Sequence, residues 1–210
     1  MKINWLRQRA EIMAKYATSL PTTLDRVKLT FDFPEHGWMP VHFFKNEQEM
    51  GFVEFSDVYD SFKPFRQWLE ILAEIGNSRA SVTCLDCESS HTVLYYEPVW
   101  FYDREIYGTG RCPADCGIFS VYDEAADRFI LDAYCDTSLF VRDLYQSLMD
   151  FVSAMQKRPD FTEHWRVSDW NDNWEEDDEE ETKSKEIFLS TLKSPIIEAY
   201  VKDSMKWRHQ

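Results

Sequence analysis

Two cysteine pairs are the densest groups of chemically capable side chains in the chain. Cys84-Leu85-Asp86-Cys87 is a CxxC, and Cys112-Pro113-Ala114-Asp115-Cys116 is a CxxxC that follows it. Four thiolates hold zinc tetrahedrally, so Cys84, Cys87, Cys112 and Cys116 are candidate metal ligands if their hairpins are neighbours. The second spacing is unusual and neither pair carries a turn glycine, which keeps separate reduced thiols as the competing reading. A redox role for the first pair requires a helix N-terminus to lower a thiol pKa. Cys84 instead follows residues that alternate like a strand. The cysteines number five, an odd count, and the N-terminal residues offer no apolar run for export. Reduced thiols and a cytoplasmic location are therefore expected.

Other catalytic patterns are weaker. His36, His42, His91, His164 and His209 are scattered, and pairing Cys84 or Cys135 with His91 rests on no local signature. Asp57, Asp60, Asp123, Asp127, Asp132 and Asp136 fall near expected turns, where acids mostly accept local hydrogen bonds. Tyr107-Gly108-Thr109-Gly110 lacks the spacing and the Lys-Ser/Thr ending of a phosphate-binding loop. No cofactor is expected.

Charge and rings point elsewhere. The formal net charge is −15, from 23 Lys and Arg against 38 Asp and Glu, a balance that repels phosphate backbones. Much of it lies in Glu175-Glu176-Asp177-Asp178-Glu179-Glu180-Glu181, directly after Trp174. Such a run has no apolar face to bury and reads as a solvated linker or loop. Without the ligand alternation or glycine of a calcium loop it also makes a poor specific metal site. Aromatic residues make up 16% of the chain. Trp165, Trp170 and Trp174, next to Glu175, Glu176, Asp177, Asp178 and Glu179, form the candidate partner-binding segment: carboxylates steer a basic protein and rings anchor it. Neither nucleic acid nor membrane is an expected partner, and the pattern leaves oligomeric state open.

The elements that must position these groups follow from periodicity. A leading helix is expected before Pro21, carrying Trp5, Ile12, Met13 and Tyr16. Val27, Leu29, Phe31 and Phe33 alternate with polar residues, and strands through Val41 and Phe43 and through Phe52 to Phe55 follow closely, which predicts an antiparallel meander. Phe62, Phe65, Trp68, Leu69, Leu72 and Ile75 share one helix face that ends near Gly76-Asn77. Strands are expected through Ala80–Leu85 and His91–Tyr102, then a hairpin of Ile118–Asp123 with Arg128–Cys135. Asp136-Thr137-Ser138 can cap a helix carrying Leu139, Phe140, Leu144, Leu148, Phe151 and Met155. A helical pattern resumes from Ile187 to Trp207, with Pro195 able to split it.

His36-Gly37-Trp38-Met39-Pro40-Val41-His42, then Ser56-Asp57-Val58-Tyr59-Asp60-Ser61-Phe62 and its amphipathic helix, resemble small acidic bacterial α/β proteins over about residues 25 to 155. Proteins of this sort include immunity partners of secreted or contact-delivered toxins. The resemblance implies neutralisation by binding and transfers no site residue.

The sequence thus predicts an α+β fold, a mostly antiparallel sheet covered by two helices with a helical C-terminal segment. Residues 1–165 would form a single domain, 166–186 an acidic linker or loop, and 187–210 a helical segment packed on the main domain. The expected function is non-enzymatic protein binding, of the kind an immunity-type inhibitor of a basic toxin performs. A small hydrolase or isomerase with an unannounced site and a zinc-stabilised structural protein are the alternatives.

Overall fold

The strands form two antiparallel sheets where the sequence suggested one. The computed structural model describes residues 3–18, 21–75, 79–88, 90–99, 116–166 and 178–207. A first helix, α1 (Ile3–Thr18), precedes the meander β1 (Val27–Phe31), β2 (Trp38–Lys45) and β3 (Gln48–Ser56), which form a three-stranded sheet in that order. After α2 (Phe62–Ile75) come β4 (Ser81–Asp86), β5 (His91–Pro98), β6 (Cys116–Asp123) and β7 (Arg128–Asp136), a four-stranded sheet in sequential order. The chain closes with α3 (Thr137–Met155), the single turn α4 (Phe161–His164), α5 (Asp178–Thr191) and α6 (Pro195–Trp207). The α+β class holds. Two sheets share one core because each buries one side of its strands against the same apolar cluster.

That cluster takes Val27, Leu29, Met39, Val41 and Phe43 from the smaller sheet and Leu94, Tyr96, Phe119 and Leu131 from the larger. Helices α2 and α3 contribute Phe62, Phe65, Trp68, Phe140 and Leu144. α3 packs beside β1 and α2 beside β4. α1 lies on the opposite face of the four-stranded sheet, with Tyr16 against Ile118 and Tyr134 at one end and Trp5 against Val93 and Tyr122 at the other. Gly117 permits the tightest approach inside the sheet, since a Cβ there would fall 2.3 Å from Cζ of the buried Tyr96 ring.

Local polar bonds set the ends of the elements. Asp60 accepts from the Lys63 N–H at 3.0 Å, and Asp136 accepts from the Leu139 N–H at 2.9 Å, each satisfying an orphan donor of a first helical turn. Pro195 occupies the first position of α6 and divides the C-terminal pattern into two helices. Ser194 caps the second one, accepting from Ile197 N–H at 3.3 Å and donating to Glu70 at 2.7 Å. Tyr145 accepts from Ser194 N–H at 2.8 Å and donates to Glu198 at 3.2 Å. These bonds fasten α6 to α2 and α3, with Leu189, Leu192 and Ile197 entering the common core.

The boundary drawn at residue 187 is therefore displaced. α5 begins at Asp178, inside the acidic run, so Asp178 to Glu181 are helical and not a loop. Expectations for Gly76-Asn77, for Tyr107 to Gly110 and for the acidic run before Asp178 fall outside the described residues.

Candidate functional site

Of the proposed partner-binding residues, Trp165 is a core residue. It is 3% exposed, ends α4 and packs edge-on against Phe62 at 5.9 Å, so it is not presented to a partner. Trp170, Trp174, Glu175, Glu176 and Asp177 lie outside the described residues. Asp178 and Glu179 open α5.

The candidate thiolates do not converge. Cys84 faces solvent from β4, whereas Cys87 is buried just beyond that strand, with its Sγ 3.6 Å from Thr92 Oγ1. Thr92 pairs with Asp123, at the far end of β6 from Cys116, so seven strand residues of about 3.3 Å each separate the two ends. Cys116 is packed under α1 with Tyr16. Cys112 lies outside the described residues, among which no group of three or more His, Cys, Asp or Glu side chains could hold a metal. Burial raises both the Cys84 and the Cys87 thiol pKa, and Asp86 disfavours the thiolate of each further, the reverse of an activated nucleophile. His91 instead pairs with a carboxylate, its Nδ1 hydrogen-bonded to Glu124 at 2.8 Å while Asp86 lies 3.8 Å from Nε2. Its bond holds Glu124 below the usual carboxylate range.

What the fold displays is the outer face of the three-stranded sheet. Inward residues of β2 are buried while Pro40, His42 and Phe44 are only partly covered, and no described helix makes an extensive contact with β2 or β3. Phe52 stands opposite His42 on β3 and is 52% exposed. Their rings tilt together at 5.5 Å. His42 bridges two carboxylates, Nδ1 to Glu49 at 2.7 Å and Nε2 to Asp32 at 3.2 Å. Glu47 and Glu54 add negative charge at the rim, against Lys28, which pairs with Glu47 at 3.1 Å. A register shift between Phe43 and Phe44 leaves Met50 as a bulge and twists this end of the face.

Partial burial pulls the His42 pKa down, but the bonds to Glu49 and Asp32 outweigh it and leave the pKa raised. A raised imidazole pKa adds stability that is complete below the unfolded value of about 6.5 and is lost as pH rises through the folded value. His42→Gln is expected to remove that segment of the stability profile, so native and variant urea midpoints differ most at the acidic end of the range from about pH 5 to 8 and converge at the basic end.

Beside this face, a cleft of about 390 Å³ separates β3 from the hairpin ends of the larger sheet. Trp38 and Gly51 to Glu54 form one wall; Cys87, Ser90 and Thr92 form another; Asp123, Ala125, Arg128 and Ile130 form the third. Asp123 Oδ1 accepts from Ala125 and Ala126 N–H at 2.9 and 3.2 Å, holding the β6–β7 turn. No family model matches the chain, and no characterised protein or solved structure does so. No described helix is long and apolar enough to cross a membrane.

The sequence contained the signal for this face. His42, Phe44, Phe52 and Glu54 occupy the outward positions of the alternation that marked β2 and β3. Carboxylates dispersed over three strands form no run, so tryptophans and contiguous acids are the stronger signal in the sequence.

Proposed function

We propose that the chain is a non-enzymatic protein-binding module that docks a basic partner on the outer face of its three-stranded sheet, as an immunity-type inhibitor of a cationic toxin would. One observation carries this reading: a half-exposed ring, Phe52, lies beside carboxylates whose positions are fixed by His42. Solvent-facing Asp32, Glu49 and Glu54 attract a cationic surface at long range. Phe52, with the partly covered Phe44 and Pro40, supplies apolar area that excludes water once contact is made. The net charge of −15 strengthens the steering and weakens at high salt. Asp123 and Cys87, on the walls of the neighbouring cleft, are held by the Ala125 and Ala126 N–H groups and by Thr92, which supports recognition over bond-making chemistry.

Capture from the native host, followed by purification of the captured protein and kinetic measurement on it, tests the reading. Neutralising Asp32, Glu49 and Glu54 together is expected to slow association by about tenfold or more at low salt, with little change at high salt. Phe52→Ala is expected to speed dissociation by about tenfold. A partner whose kinetics ignore both variants binds elsewhere and removes this face from consideration.

A further inference from the structure

β3 ends the three-stranded sheet, and four consecutive residues of it, Gly51, Phe52, Val53 and Glu54, line the cleft. Successive strand side chains point to opposite faces, so a cavity touching all four meets the backbone edge. The pairing pattern identifies the groups standing there. On β2, Trp38 exchanges both backbone bonds with Glu35, at 2.8 and 3.0 Å, and the Pro40 carbonyl accepts from Asp32 N–H at 3.0 Å. Those residues point away from β3, so Met39 and Val41 point toward it. Their register partners, Phe55 and Val53, direct their own N–H and C=O back to β2. The alternation leaves the N–H and C=O of Phe52 and Glu54 directed out of the sheet into the cleft, without a partner among the described residues.

We propose that this edge receives an extended, lysine- or arginine-bearing segment of the partner protein as an added antiparallel or parallel strand, an inference that rests on the binding role proposed above. Two outward donor–acceptor pairs, separated by about 7 Å, match the repeat of an extended chain and not of a helix. Glu54 and Asp123 stand on opposite walls of the cleft against the single guanidinium of Arg128, which favours a cationic occupant. Alternate side chains of the added strand find Phe52 on one face and Ile130 and Thr92 on the other. A second copy of this chain is the wrong occupant, because joining two β3 edges brings Glu54 toward its equivalent in a molecule of charge −15.

The probe is a capped Lys-Val-Lys-Val-Lys-Val peptide, alongside the same peptide N-methylated at every residue and a Glu-Val counterpart. In the full chain, Phe52 and Glu54 amides are expected to exchange rapidly, and the first peptide to slow both by about tenfold or more while the other two do not. Glu54→Pro removes an outward N–H without costing a bond to β2, so the chain keeps its thermal midpoint while peptide binding falls by about tenfold. Glu54→Gln keeps the N–H and loses only the salt-dependent part. Amides already protected in the free chain overturn the proposal, as does N-methylated peptide binding equal to the parent. Cationic peptide binding that depends on Phe52 and salt yet ignores N-methylation and Glu54→Pro overturns strand addition alone and leaves the docking face standing. Absence of binding by every cationic peptide and by any captured partner overturns both.

Discussion

A chain ending at residue 177 is expected to lose its cooperative native transition, not merely a tail. Leu189, Leu192 and Ile197 are buried in the common core, and Phe188 stacks on Phe161 at 6.2 Å while meeting Phe62 edge-on at 5.7 Å. Full burial of an aliphatic side chain contributes about 1.5–3 kcal/mol, so the three aliphatic residues alone carry about 5–9 kcal/mol. Domain stabilities are only about 5–15 kcal/mol in total. Loss of α6 also strips Ser194 and Glu198 from Tyr145, whose buried hydroxyl then lacks both partners. Near-ultraviolet circular dichroism and a dye that reports exposed apolar surface measure the outcome. A shortened chain that retains a sharp urea transition and binds no dye would show the C-terminal helices to be accessory.

The second large effect belongs to Phe62→Ala, expected to cost about 3–5 kcal/mol as read from the urea midpoint. Phe62 is fully buried where five rings meet: Phe31, Phe55, Phe151, Trp165 and Phe188 lie at 5.1 to 5.9 Å between centroids. Those rings come from both ends of the sequence, so their packing cannot collapse around the vacancy by moving one element. Phe62→Leu fills most of the volume and is expected to cost about 1.5 kcal/mol or less. Equal losses for the two variants would mean that the site tolerates no change of shape.

Most strands were legible because alternation is local. Val27 and Leu29, Val41 and Phe43, and Val53 and Phe55 announced their inward faces before any partner was known, and the run Asp136-Thr137-Ser138 announced the start of α3. Division into two sheets was not legible, since it depends on which distant strands share a core. Asp25 N–H donates to the Tyr134 carbonyl at 2.7 Å, and Lys45 to that of Asp132 at 2.9 Å; these contacts join the sheets across separations no short window registers. Trp165 misled for a related reason. It follows a single turn of helix, too short to produce a period, so its polar neighbours resembled a surface strap although the side chain fills a gap beside Phe62.

The first helix depends on strands made long after it. Arg9 donates to Ser120 at 2.7 Å, 111 positions later, and Gln8 to the Asp127 carbonyl at 2.9 Å, 119 positions later. At ~5–20 residues per second of synthesis, on the order of ten seconds pass between emergence of α1 and completion of its docking surface. During that interval the stripe carrying Trp5 and Tyr16 has no docking surface. The helix that closes the far side of the four-stranded sheet thus waits on nearly the whole of that sheet before its apolar stripe is covered.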